Sequence, residues 1–180
     1  MQRFVKGGSE YLVCFHTQES RPKRLSEPII CDSEEAWLGI GYYFWIDHEF
    51  AHYWGMDMKR ATGRYDIYKA LVNEDMLLNT TFDEKSYYFF VNSIEKVRTF
   101  LVKTGESITI DAVHRFLAEK YFIPQKITGI IYDDLPKNNR KGRIYSDIDP
   151  LYYKKRIQLV VFNINNVINF EDYRLSENCN

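Results

Sequence analysis

The chain has 180 residues, 45% of them hydrophobic, with 24 Lys and Arg against 25 Asp and Glu and a net charge of −1. That is material for one core, so a single domain over residues 1–180 is expected, and no global field commits the chain to nucleic acid or to a membrane surface. Three cysteines without a C-x-x-C pair argue against a disulfide framework or a cysteine metal site. With no leader-like start and no run of the roughly 18 apolar residues that a span needs, a cytoplasmic protein is expected.

In chain order, "EYLVCFH" (Glu10 to His16) reads as a buried strand, with His16 where the strand meets a loop. "IIC" (Ile29 to Cys31) begins another short element, and "GYYFW" (Gly41 to Trp45) is a strand. Asp47 then suits the N-cap of a helix through "HEFAHYWGMDMKR". "YDIYKALV" (Tyr65 to Val72) predicts a strand and "MLLN" a short segment, followed by an acidic turn. "YYFFVNSIEKVRTFLVKTG" has the spacing of an amphipathic helix that stops at Gly105. "TIDAVHRFLAEKYF" is a further helix, N-capped by Thr109 or Asp111, and its His114 reads as an ordinary half-buried or surface histidine. "ITGIIYDD" and "RIQLVVFNI" are β-rich runs on either side of a polar, basic stretch. The class is therefore α+β, with strands concentrated at both ends.

One pattern points directly to chemistry. His48-Glu49-Phe50-Ala51-His52 is an H-E-x-x-H, in which two histidines one helical turn apart hold zinc and the glutamate activates a water. A catalytic zinc needs a third protein ligand, and Met58 stands where the extended motif places it. Asp57 misses by one position, which on a helix is a rotation of about 100°. Glu95 or Glu119 from a later helix would have to serve instead. A zinc hydrolase thus stands as an alternative, beside a solvated helix face and a role in some other site.

A second constellation is wider. His16-Thr17 follows the first strand, Gly39-Ile40-Gly41-Tyr42-Tyr43-Phe44 leads into a helix, and "IQLVVF" forms a late strand. In order and spacing these resemble the ADP-ribosyltransferase superfamily, in its H-Y-E class of diphtheria-toxin-like enzymes and poly-ADP-ribose polymerases. Ala51 and Trp54 extend the resemblance to small bacterial proteins with a "GxGxYF…A..W" core, over about residues 10 to 170. It implies a split antiparallel β-sheet core with flanking helices, and NAD as substrate with no metal. His16 would hydrogen-bond the adenosine ribose, and the backbone at Thr17 the nicotinamide amide. Tyr43 would stack on the nicotinamide ring, with Tyr53 or Trp54 as the opposite wall. His16 and Tyr43 also have plain readings, as a core histidine and a packing tyrosine.

Two departures from the family matter. Thr17 stands where the family has glycine, adding a Cβ and a hydroxyl where backbone must approach a ligand. Gln158 stands where the family has its catalytic glutamate, and a neutral amide supplies neither charge nor base. The resemblance then implies transfer of a single ADP-ribose, with Asp147 or Asp149 as a candidate assisting acid; the catalytic set is Gln158, Tyr43 and His16. Basic residues Lys137, Arg140, Lys141, Arg143, Lys154, Lys155 and Arg156, interleaved with Tyr145, Tyr152 and Tyr153, suit single-stranded nucleic acid, so the stretch 137–156 favours RNA slightly as acceptor over protein or DNA. Small family members of this kind are often toxins of toxin–antitoxin or phage-defence modules, which implies a cognate antitoxin as a partner. The third reading is a degenerate module that binds NAD or ADP-ribose without turnover.

Overall fold

A computed structural model describes residues 1–33, 36–58, 63–134 and 155–173. Within them the chain forms eight strands and three α-helices: β1 (Arg3–Lys6), β2 (Ser9–Glu19), β3 (Tyr42–Trp45), α1 (His48–Met58), β4 (Tyr65–Asn73), β5 (Leu77–Asn79), α2 (Glu84–Thr104), α3 (Ile110–Leu117), β6 (Gly129–Asp133), β7 (Ile157–Val161) and β8 (Val167–Asp172). All the strands belong to one open sheet of order β5-β6-β7-β3-β2-β4-β8, with β1 also on β2. Only the β5–β6 pair is parallel. The α+β class is thus observed.

The helix ends follow local chemistry. Asp83 caps α2 by accepting from the Lys85 and Ser86 amides, so the helix starts a turn earlier than its apolar spacing begins. Gly105 closes it at φ 74°, a left-handed position that suits glycine, and returns its N–H to Leu101 and Val102. Thr109 caps α3 through the Ala112 amide (3.1 Å), and Ala118–Phe122 continues that helix as a single π turn. At α1, Asp47 accepts from the Glu49 amide (2.9 Å) as expected.

Several expectations change. β2 continues to Glu19, so His16 is interior to a strand and not at its end. Ile29–Cys31 is no strand; Cys31 makes an isolated bridge to Gly41. β1 and β8, both edge elements with little burial, were not foreseen. Lys59 and Arg60, the expected end of the first helix, lie outside the described residues.

One joint controls the sheet. β2 and β4 pair continuously from Tyr11–Asn73 to Glu19–Tyr65, whereas β2 and β3 meet at the one pair Phe15–Trp45. β1 occupies the start of that same edge of β2, at Ser9 to Leu12. The sheet is therefore two halves, β1-β2-β4-β8 and β3-β7-β6-β5, hinged at Phe15–Trp45. One apolar cluster draws Leu12, Cys14 and Val72 from the first half and Phe44, Leu159 and Val161 from the second. A second cluster seats α1 through Phe50 and Ala51 on Val13, Phe15 and Trp45. The third packs α2 and α3 (Phe90, Val97, Leu117) on Ile130 and Val160. Both faces of β7 are covered, so all five of its residues are buried.

Gly41 lies close against β7: a methyl there would stand 2.6 Å from Val160 Cγ2 and 2.7 Å from the Val161 carbonyl oxygen. The carbonyl cannot swing aside without breaking the ladder. Gly41→Ala is therefore expected to destabilise the fold by about 1–3 kcal/mol, as overpacking does. Chemical denaturation checks this; an unchanged midpoint would show that the strands have room to part.

Candidate functional site

Beyond Phe15–Trp45 the two half-sheets separate, and among the described residues β2 runs on with a strand on one edge only. The wedge is a cavity of about 550 Å³ lined by His16, Thr17, Tyr43, Trp54 and Gln158, together with Trp37, Trp45 and the segment Ile29–Ser33. It is larger than the cavities beneath α3 (about 330 Å³), between α2 and α3 (about 350 Å³) and beside α1 (about 270 Å³). Its volume lies in the range of small-molecule sites.

His16 bridges the wedge. Its Nδ1–H donates to the Tyr43 carbonyl (2.8 Å), and since a carbonyl only accepts, this bond fixes the tautomer. Nε2 is then a bare acceptor, buried and without a partner in a residue only 5% exposed. Burial pushes the imidazole pKa down, with the bond to Tyr43 opposing it, so the ring is held neutral.

The other residues are held as firmly. The Tyr43 hydroxyl donates to the Gly39 carbonyl (2.8 Å) and accepts from the Leu38 amide (3.1 Å), which ties the ring to the turn before β3; burial raises its pKa. Gly39 serves that turn at φ 89°, against the His114 ring. The Thr17 hydroxyl donates to the Ala51 carbonyl of α1 (2.7 Å), so it is spent on the helix. Trp54 stacks obliquely on Trp45 at 6.0 Å, and 38% of it stays exposed at the mouth. Gln158 is buried, and its Oε1 accepts from the Trp37 indole (2.8 Å).

Tyr53 is the exception among the expected site residues. One position round α1 from Trp54, it faces away from the cavity: its ring packs on Phe50 and its hydroxyl donates to Glu49 (2.7 Å). Trp54 alone is the aromatic wall from that helix. Trp37, Cys31 and Asp32 line the cavity although nothing in the sequence singled them out. The signal for Trp37 was its place two residues before Gly39, since a segment that feeds the glycine turn must pass the same wedge.

His48 and His52 line the separate cavity beside α1, with Arg24, Tyr65 and Asp66. His52 Nδ1 is bonded to the Tyr65 hydroxyl, and Arg24 bridges Asp66 and Asp172. Glu119 lines the cavity beneath α3 with His114, and Glu95 is on α2, neither of them beside α1. Among the described residues no three His, Cys, Asp or Glu side chains are grouped to hold a metal ion. His114 donates from Nε2 to the Trp37 carbonyl (2.7 Å), a structural use.

Of the basic stretch, only Lys155 and Arg156 are described. Arg156 pairs with Asp134 (2.8 Å) and lies over the Trp45 ring at 5.3 Å, and Lys155 lies 4.0 Å from Asp133. Lys137, Arg140, Lys141, Arg143, Lys154, Tyr145, Tyr152, Tyr153, Asp147 and Asp149 lie outside the described residues. No described helix is long and apolar enough to cross a membrane. No family model, curated protein or solved structure matches the chain.

The buried neutral His16 makes a prediction about pH. Its folded pKa is lowered, so its contribution to stability is complete above the ordinary value of 6.5 and is lost as pH falls through and below it. The melting temperature should drop as the solution is taken from about pH 7.5 to pH 5.5, and His16→Asn, which does not titrate, should drop by less. Parallel slopes for the two proteins would mean that His16 is solvated.

Proposed function

We propose that the protein is a mono-ADP-ribosyltransferase that moves ADP-ribose from NAD to a macromolecular acceptor, with RNA slightly favoured over protein or DNA. The carrying observation is convergence: His16, Thr17, Tyr43, Trp54 and Gln158, expected separately from the motifs, line one cavity. A sheet that parts after one β2–β3 pair supports the finer fold reading, an ADP-ribosyltransferase-like split sheet, as part of the same proposal.

The residues present fit NAD. His16 Nε2 is a buried acceptor without a partner, suited to a ribose hydroxyl, and Tyr43 and Trp54 offer aromatic surface for a flat ring. In the reaction the bond from ribose C1′ to the nicotinamide nitrogen breaks, its electron pair leaving with nicotinamide. The acceptor's nucleophile bonds C1′ and loses a proton to solvent. The chain's own contribution is to hold the ribose and the ring in place and to keep water out of the wedge. Gln158 adds a hydrogen bond but no charge, which fits a single transfer better than chain growth. A toxin or phage-defence role with a cognate antitoxin goes with this reading.

Purified protein incubated with NAD and RNA, DNA or lysate protein should add the mass of one ADP-ribose to an acceptor. Tyr43→Ala and Gln158→Ala should each slow the transfer roughly tenfold or more, the worth of a stacking face or of a buried hydrogen bond. Intact NAD and no modified product from any acceptor would sink the transferase; a melting temperature raised by ADP-ribose in that case would leave a binding module. About one equivalent of bound zinc, lost on changing His48 and His52, would bring back the hydrolase.

A further inference from the structure

We infer that Trp37 is a positioning residue, which fixes the Gln158 amide so that its NH2 group, and not its oxygen, is presented to the cavity. This assignment rests on the NAD reading for the ligand, though not for the amide's orientation.

Amide oxygen and nitrogen are usually told apart by their hydrogen-bond network. Here the partner decides. An indole Nε1–H donates and cannot accept, so the atom 2.8 Å from it is the amide oxygen. The NH2 group hydrogen-bonds no described residue, and its nitrogen is not among the buried polar atoms that lack a partner, so it opens on the cavity that Gln158 lines. The backbone cannot turn to offer the oxygen instead, because Gln158 sits between Trp45 and Tyr132 in two antiparallel ladders.

Trp37 is itself clamped at three points. Its ring meets the Tyr132 ring edge-on at 5.4 Å, its carbonyl accepts from His114 (2.7 Å), and its indole is bound to Gln158. A flipped amide would set NH2 against N–H and leave both donors without an acceptor, at a cost of at least tenfold in the population of that rotamer. The amide that Gln158 shows to the cavity is therefore a donor, beside a wall that also holds the Asp32 carboxyl group, while His16 Nε2 is an acceptor buried behind the wall. A ligand suited to it offers a lone pair to Gln158. A ribose hydroxyl at Gln158 meets this demand as an acceptor, the reverse of what it does beside a carboxylate.

The test is a double-mutant cycle on NAD affinity, by calorimetry, with wild type, Trp37→Phe, Gln158→Leu and the double variant, with a spectroscopic readout of the pair itself. Trp37→Phe should weaken NAD roughly tenfold and should cost nothing further in the Gln158→Leu background, because the two act as a unit. A packing role would cost the same in both backgrounds, and that result, or unchanged affinity in Trp37→Phe, overturns the inference. In the free protein the Trp37 indole proton, identified by its loss in Trp37→Phe, should resist exchange with solvent, and Gln158→Leu should remove that protection. An indole proton indifferent to Gln158→Leu would also overturn it. Should Trp37→Phe fail to fold, the indole readout in Gln158→Leu still decides the pair. If wild type binds no NAD, the function reading fails, while the indole result stands on its own.

Discussion

The site exists because two half-sheets touch at one pair. A sheet of eight strands zipped along every edge would have no cavity between β2 and β3; here β1 occupies the start of the β2 edge and Phe15–Trp45 ends the contact. Past that pair a gap in the ladder would strand backbone carbonyls in the interior. His16 answers one of them by donating to the Tyr43 carbonyl, so the residue that closes the ladder also turns its remaining nitrogen, unpaired, into the structure. Fold and candidate chemistry meet in a single imidazole.

What was legible follows from periodicity and capping. β3, β4 and β7 are dense apolar or aromatic runs, and Gly105 and Thr109 are strong end signals, so these elements stand where the pattern puts them. β1 and β8 escaped because edge strands bury little: neither has a fully buried residue. The end of β2 was misplaced because Thr17, Gln18 and Glu19 are polar, yet β4 pairs with them all the way. The site residues were legible where short motifs mark them. Trp37 was not, because its role depends on Gln158, 121 positions away, and no local pattern announces such a contact.

The H-E-x-x-H pattern sits on α1, and most of its polar groups meet neighbouring side chains. His48 and His52 do share a helix face, as i, i+4 residues must. That face meets Tyr65 and Tyr173, while Glu49 is bonded to Tyr53. Glu49 and His52 are thus engaged by tyrosines, and no three His, Cys, Asp or Glu side chains group to hold a metal ion among the described residues.

Gln158 and Trp37 make the chemical character of the cavity a matter of geometry more than of residue type. An amide is ambivalent, able to show either end, and only its surroundings choose. A carboxylate in its place could accept from the same indole and still offer an oxygen to the cavity, so the tryptophan would tolerate it while the hydrogen-bond sense reversed. With His16 neutral and Gln158 uncharged, these two groups bring no net charge to the wedge, and Gln158 meets it with the direction of a hydrogen bond instead.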